Sequence, residues 1–197
     1  MSATSDYARL AQEKSGNVVR AVAVATGVAA LVAVLVAAAR WSPVDVPGEL
    51  VETLVAVLSL LQILAGCLWI SWFREVHAAT QAAGLARFRA RGMWCWGWVV
   101  PVASLWLPKM MTNDVVWAPD DGRRPIPWVV QIWWGLWVTA GLVTASPHGP
   151  VPGSLAPLVF YVLAGVAACR VVRLLTGRVL LLAAQRDEPD RELAAAG

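Results

Sequence analysis

The sequence predicts an all-α, polytopic integral membrane protein with four transmembrane helices and one re-entrant or interfacial Trp/Pro-rich segment. Three observations predict it. Of 197 residues, 58% are hydrophobic and 15% charged, and the mean hydropathy is +0.61. A soluble domain carries roughly 25% charged residues. Four runs of 18 residues or more are apolar and nearly free of charge. The basic residues sort to one side of those runs. Together these exclude a disordered chain, a nucleic-acid module and an ordinary soluble enzyme.

A spanning helix needs about 20 apolar residues, because ~30 Å of hydrocarbon is crossed at ~1.5 Å per residue. The elements follow in order. Residues 1–17 read as a cytoplasmic tail, 18–186 as a single membrane domain and 187–197 as a second cytoplasmic tail. The first span is 21–39, with nine Ala and six Val. Small residues such as Ala23 and Gly27, at i,i+4, suit close helix packing. Ala37-Ala38-Ala39 resembles a signal-peptidase site, but the run before it is too long for a signal core, so an uncleaved anchor is expected. The second span is 53–73, with Trp69 and Trp72 as interface anchors near its end. The third is 128–145, introduced by Pro127, where a helix tolerates proline best. The fourth is 155–172, with Ser154 as N-cap and Pro157 in the first turn. Its helix is expected to run beyond the membrane, because Val179 to Leu182 continue an apolar face.

A fifth run, 92–108, contains Pro101 in its middle and Pro108 at its end. An interior proline removes a hydrogen bond and clashes with the carbonyl four residues earlier, here Gly97. Such backbone is tolerated at membrane depth only where protein or water satisfies it. Charge decides between a crossing and a dip. Cytoplasmic loops collect Lys and Arg. If residues 92–112 dip in from the inner side, fifteen of the sixteen Lys and Arg face the cytoplasm and only Arg40 lies outside. If they cross, the distribution inverts. The expectation is therefore a multi-pass membrane protein with both termini cytoplasmic.

The central and C-terminal motifs have a recognisable order: Trp72-Phe73-Arg74, then Trp96-Gly97-Trp98-Val99-Val100-Pro101, then Ser104-Leu105-Trp106-Leu107-Pro108 and Trp117. Trp133-Trp134-Gly135-Leu136-Trp137 and Arg170-Val171-Val172-Arg173 follow. This order, over about residues 50–186, resembles the bacterial membrane-protein family known as domain of unknown function 4328, common in actinobacteria. The Ala, Val, Arg and Trp richness likewise fits a high-GC actinobacterial genome. The resemblance implies an integral membrane protein, placed in a bacterial plasma membrane, and no established activity. Two positions depart from the family pattern: His77 and Ala78 stand where an Asn follows the arginine, and Ser104 stands where another Asn lies between the prolines.

Candidate functional residues are few. Gln62 and Gln131 fall within spans, where an amide needs a partner; an interhelical bond is the simpler reading and a substrate path the sharper one. Gly97, Pro101, Ser104 and Pro108 belong to the broken segment, whose freed carbonyls could serve transport. Arg74 and His77 share a helix face at i,i+3 and join Arg87, Arg89 and Arg91 in a basic inner surface suited to anionic lipid. Nine of twelve Trp lie between Trp94 and Trp137, which reads as an interfacial belt before it reads as an aromatic pocket. Cys67, Cys95 and Cys169 read as small buried hydrophobes. No catalytic motif, metal cluster or cofactor loop is present, so no cofactor is expected. The expected partners are membrane lipids of an anionic inner leaflet and a further copy or another membrane protein, with no nucleic acid. The first functional reading is a non-catalytic membrane component acting through helix packing or partner binding. A small transporter or channel-like protein comes second and a lipid-modifying membrane enzyme third.

Overall fold

The structure, a computed structural model, describes residues 3–41, 47–85, 106–120, 125–144 and 156–196. Every regular element among them is helical: α1 (Ala3–Trp41), α2 (Gly48–Ala82), α3 (Leu107–Trp117), a 3₁₀ turn (Ala118–Asp120), α4 (Trp128–Thr144) and α5 (Ala156–Ala196). The all-α expectation holds, and the span count needs correction. Among the described residues three helices, not four, are long and apolar enough to cross a membrane: α1, α2 and α5. The described part of α4 has 17 residues, about 26 Å of helix against ~30 Å of hydrocarbon, and residues 145–155 after it lie outside the described residues. It begins at Trp128, directly after Pro127, as the proline predicts.

α1 and α5 are longer than their apolar runs. α1 has 39 residues, about 58 Å, and extends through most of the expected N-terminal tail. Its inward stripe explains this: Ala8, Ala11, Val18, Val22, Ala25, Ala29 and Val32 are buried at three-, four- and seven-residue steps. The stripe passes by Ala23 and Gly27, which are exposed, so the expected small-residue face is not the one used. α5 runs 41 residues and includes the extension expected after Arg178.

The chain forms two compact units. Unit 2 comprises Val19–Cys67 and Trp128–Val171. Its interior is apolar throughout the described residues: Val22, Ala25 and Ala29 of α1, Leu58 and Ala65 of α2, Trp133 and Trp134 of α4, Ala164 and Ala168 of α5. α1 and α5 are in close contact at Gly165, where an added Cβ would lie 2.0 Å from Thr26 Oγ1. The Thr26 hydroxyl spends its proton on the Val22 carbonyl at 2.7 Å, so it imposes no unsatisfied donor at the crossing. Cys169 Sγ contacts the Val19 carbonyl at 3.9 Å. Unit 2 also exposes Val24, Leu31, Val34, Leu60, Ile63, Leu64, Leu163 and Val166. A soluble monomer rarely leaves so many large apolar side chains in water.

Unit 1 comprises Met1–Val18, Leu68–Pro127 and Val172–Gly197. Here α2 ends in a turn fixed by Gly84, whose φ of 75° is in the left-handed region. The Gly84 N–H bonds the Gln81 carbonyl at 2.9 Å and the Leu85 N–H bonds the Thr80 carbonyl at 3.2 Å, the paired bonds of a Schellman cap. Leu85 then packs on Ala83, Ala118 and Leu182. α3 replaces what the sequence reads as the tail of a re-entrant segment and a loop. Pro108 stands in its first turn, and Leu107, Met111 and Val115 recur every four residues on its buried side. Residues 92–105, the rest of that segment, lie outside the described residues.

Candidate functional site

Among the described residues, all seven buried polar or charged side chains belong to unit 1: Thr4, Glu75, His77, Thr80, Thr112, Asp114 and Thr176. Burying such groups is costly unless each is paired. The pairings therefore show what the layer does.

Glu75 is its charged centre. The side chain is 2% exposed, and Oε1 accepts from Lys14 Nζ at 2.7 Å. Arg74 Nη2 approaches the same oxygen at 3.3 Å. Lys14 comes from α1 and the other two from α2, so the ion cluster ties those helices together. One turn earlier, Trp72 Nε1 donates to Thr176 Oγ1 of α5 at 3.2 Å. The Trp72 ring sits edge-on to Trp69, with centroids 5.2 Å apart. Further along, Arg186 Nη2 of α5 donates to the Ala83 carbonyl at 2.6 Å, satisfying the end of α2. Ser5 Oγ donates to Asp187, which joins the start of α1 to the far part of α5. Each of these four connections joins two helices. Thr80 and Thr112 bond back to carbonyls four residues earlier and leave no donor over.

His77 differs from the rest. It is 3% exposed and lies nearly parallel to Phe73, with centroids 6.4 Å apart. Among the described residues its Nε2 has no hydrogen-bond partner, and neither has the buried Oδ1 of Asn113.

The expected site residues separate accordingly. Arg74, His77 and Pro108 are in unit 1, whereas Gln62 and Gln131 are in unit 2. Arg74 is exposed and His77 buried, so the i,i+3 pair does not present one basic face. Gln131 is exposed on α4 and Gln62 half-buried, so Gln131 is not an interior amide in need of a helix partner. Gly97, Pro101 and Ser104 lie outside the described residues, as do Trp94, Trp96 and Trp98. Trp69 and Trp72 are interior packing groups rather than surface anchors, and Trp133 and Trp134 are buried too; Trp106 and Trp128 are exposed, as a belt requires. Cys67 is exposed rather than buried, and Cys169 is half-buried. No group of three metal-ligating side chains occurs among the described residues.

The family model for a domain of unknown function, DUF4328, matches residues 38–177. The chain belongs to the DUF4328 family. No curated protein and no solved structure matches it. The DUF4328 segment contains Trp72, Glu75, His77 and Thr176, whereas Ser5, Lys14, Arg186 and Asp187 come from the flanking extensions. Three of the four interhelical connections thus fasten an extension of α1 or α5 to the DUF4328 segment or to the other extension. Sequence reading misses Lys14 and Arg186 as structural partners. The available signal was a lone Lys on the inward stripe of α1, and a helix end at Gly84 in need of a donor.

Proposed function

We propose that this DUF4328 protein is an integral membrane component that acts without catalysis, through helix packing and partner binding. Both termini face the cytoplasm in this reading, which needs an even number of crossings: α1, α2 and α5 give three, and α4 gives the fourth. The observation that carries this reading is the separation of polarity between the units. The buried polar groups of the described residues are all in unit 1, where four connections are spent on holding helices to each other. The fully buried side chains of unit 2 among the described residues are Ala, Val, Leu and Trp. That favours packing over transport.

Charge supports the orientation. The sequence ranges of unit 1 carry thirteen of the sixteen Lys and Arg, and both chain termini. Along each long helix the outward face changes from large apolar side chains to arginine. In α1, Val24 gives way to Arg20; in α2, Leu64 and Cys67 give way to Arg74; in α5, Val166 gives way to Arg170 and Arg173. Such a change is what a helix shows where hydrocarbon ends on the cytoplasmic side.

Alkaline extraction of membranes from cells expressing the full chain tests the reading. The protein stays in the pellet at high pH and is released by detergent. Release by alkali alone contradicts integral insertion.

A further inference from the structure

We propose that the outward face of α3 is a docking surface for an anionic bilayer interface. The inference rests on the membrane reading and adds a lipid-facing surface that lies wholly within unit 1. One side of α3 is buried, with Leu107, Met111 and Val115 recurring along it. The other side holds Trp106, Lys109, Met110, Asn113 and Trp117, which fall within an arc of about 100° at 3.6 residues per turn. A helix that faces water carries charged and polar side chains on such an arc. α3 instead presents Trp106, at its N-cap, 49% exposed and Met110 43% exposed, with Trp117 half-buried at the far end.

Charge selects the occupant. Asp114, the acid of α3, is buried, whereas Lys109, its base, is on the outward arc. The sequence from 86 to 126, which contains the helix, has six Lys and Arg against three Asp. A positive surface carrying indole rings suits lipid headgroups: the cation meets phosphate, and the rings lie at headgroup depth with their N–H groups toward water. A second copy docked on the same face would bring positive charge against positive charge. Length sets the mode of contact. The 11 residues of α3 make about 16 Å of helix, half of ~30 Å of hydrocarbon, so the helix lies along the interface rather than across it. Trp106 and Trp117 then stand at the two ends of the contact, with Met110 between them.

The test is spin-label accessibility in the full chain, with its three native cysteines replaced by alanine and one cysteine introduced. The chain is reconstituted into vesicles of phosphatidylcholine, with or without phosphatidylglycerol. Labels are placed by Met110→Cys on α3, Gln81→Cys elsewhere in unit 1 and Leu64→Cys in unit 2, all exposed positions. In vesicles containing phosphatidylglycerol, the label at position 110 collides with oxygen in preference to a water-soluble nickel complex, and the label at 81 shows the reverse. Shielding at 110 is weaker in phosphatidylcholine alone. Lys109→Gln in the Met110→Cys chain shifts the ratio of docked to undocked spectra about fivefold toward water, the worth of one cation near an anionic surface. Nickel access at 110 equal to that at 81, or equal shielding in the two vesicle compositions, overturns the proposal. Dipolar broadening between labels at 110 overturns it in favour of a second copy. Nickel access at 64 fails the membrane reading itself, whereas shielding at 64 with position 110 in water fails only this inference.

Discussion

Trp72 and Thr176 are 104 residues apart in the chain, and the indole N–H of one donates to the hydroxyl of the other at 3.2 Å in a site closed to solvent. The bond holds α2 against α5 inside the DUF4328 segment. Trp72→Phe removes the donor and a ring's worth of packing, and leaves the Thr176 oxygen unsatisfied. The expected cost is about 1–3 kcal/mol, read as a lower unfolding midpoint in detergent. Adding Thr176→Val to Trp72→Phe recovers part of the loss, because an apolar pair leaves nothing unsatisfied. A double variant no better than the single one would show that ring packing alone carries the effect.

The ion cluster predicts a strong asymmetry between partners. Lys14→Met leaves the Glu75 carboxylate buried beside Arg74 only. Breaking a buried pair from one side costs about 3–5 kcal/mol, and the partial exposure of Lys14 puts this case at the lower end. Combining Lys14→Met with Glu75→Gln removes the uncompensated charge and restores most of the stability. Chemical denaturation of the three variants in one detergent measures this. Additive losses in the double variant would mean that the two residues act separately.

Gly165 has no room for a side chain. A methyl there would meet Thr26 Oγ1 at 2.0 Å, so Gly165→Ala pushes α1 and α5 apart at this contact. Overpacking of this kind costs about 1–3 kcal/mol. Thr26→Ala in the same chain removes the obstructing oxygen and recovers part of it. Thermal stability of the single and double variants provides the comparison.

The end of α2 gives a local prediction. Gly84 holds a φ of 75°, and Gly84→Ala should cost about 1–2 kcal/mol. Arg186→Ala releases the Ala83 carbonyl that the guanidinium caps. Both changes raise hydrogen exchange at the Gly84 and Leu85 amides, whose bonds form the cap, while the amides around Thr26 stay protected. Exchange that rises equally at both places would indicate global rather than local loosening.

Much of this architecture is legible in the sequence. The apolar runs mark α1, α2 and α5, Pro127 marks the start of α4, and the apolar residues after Arg178 mark the extension of α5. Two features are missed for different physical reasons. The start of α1 looks like a polar tail because its buried stripe is mostly Ala, with little hydrophobic contrast: Ala8 and Ala11 precede Val18. α3 is hidden because Pro101 and Pro108 together suggest a broken membrane segment, whereas Pro108 starts a helix. The candidate site is the least legible part. Arg74 and His77 are visible as motif residues, but Lys14 and Glu75 are 61 residues apart, and Arg186 and Ala83 are 103 apart. Such pairs follow from how the helices are registered against one another, which no local pattern records.

The central claim is the proposed orientation, with Gln81 on the cytoplasmic side and Glu49 on the outer side. Single cysteines at Gln81 and at Glu49, both exposed positions, test it in a chain whose three native cysteines are replaced by alanine. Intact cells are treated with a membrane-impermeant maleimide before and after permeabilisation. The expected result is labelling of Glu49→Cys in intact cells and of Gln81→Cys only after permeabilisation. Labelling of Gln81→Cys in intact cells, with Glu49→Cys protected, would contradict the account.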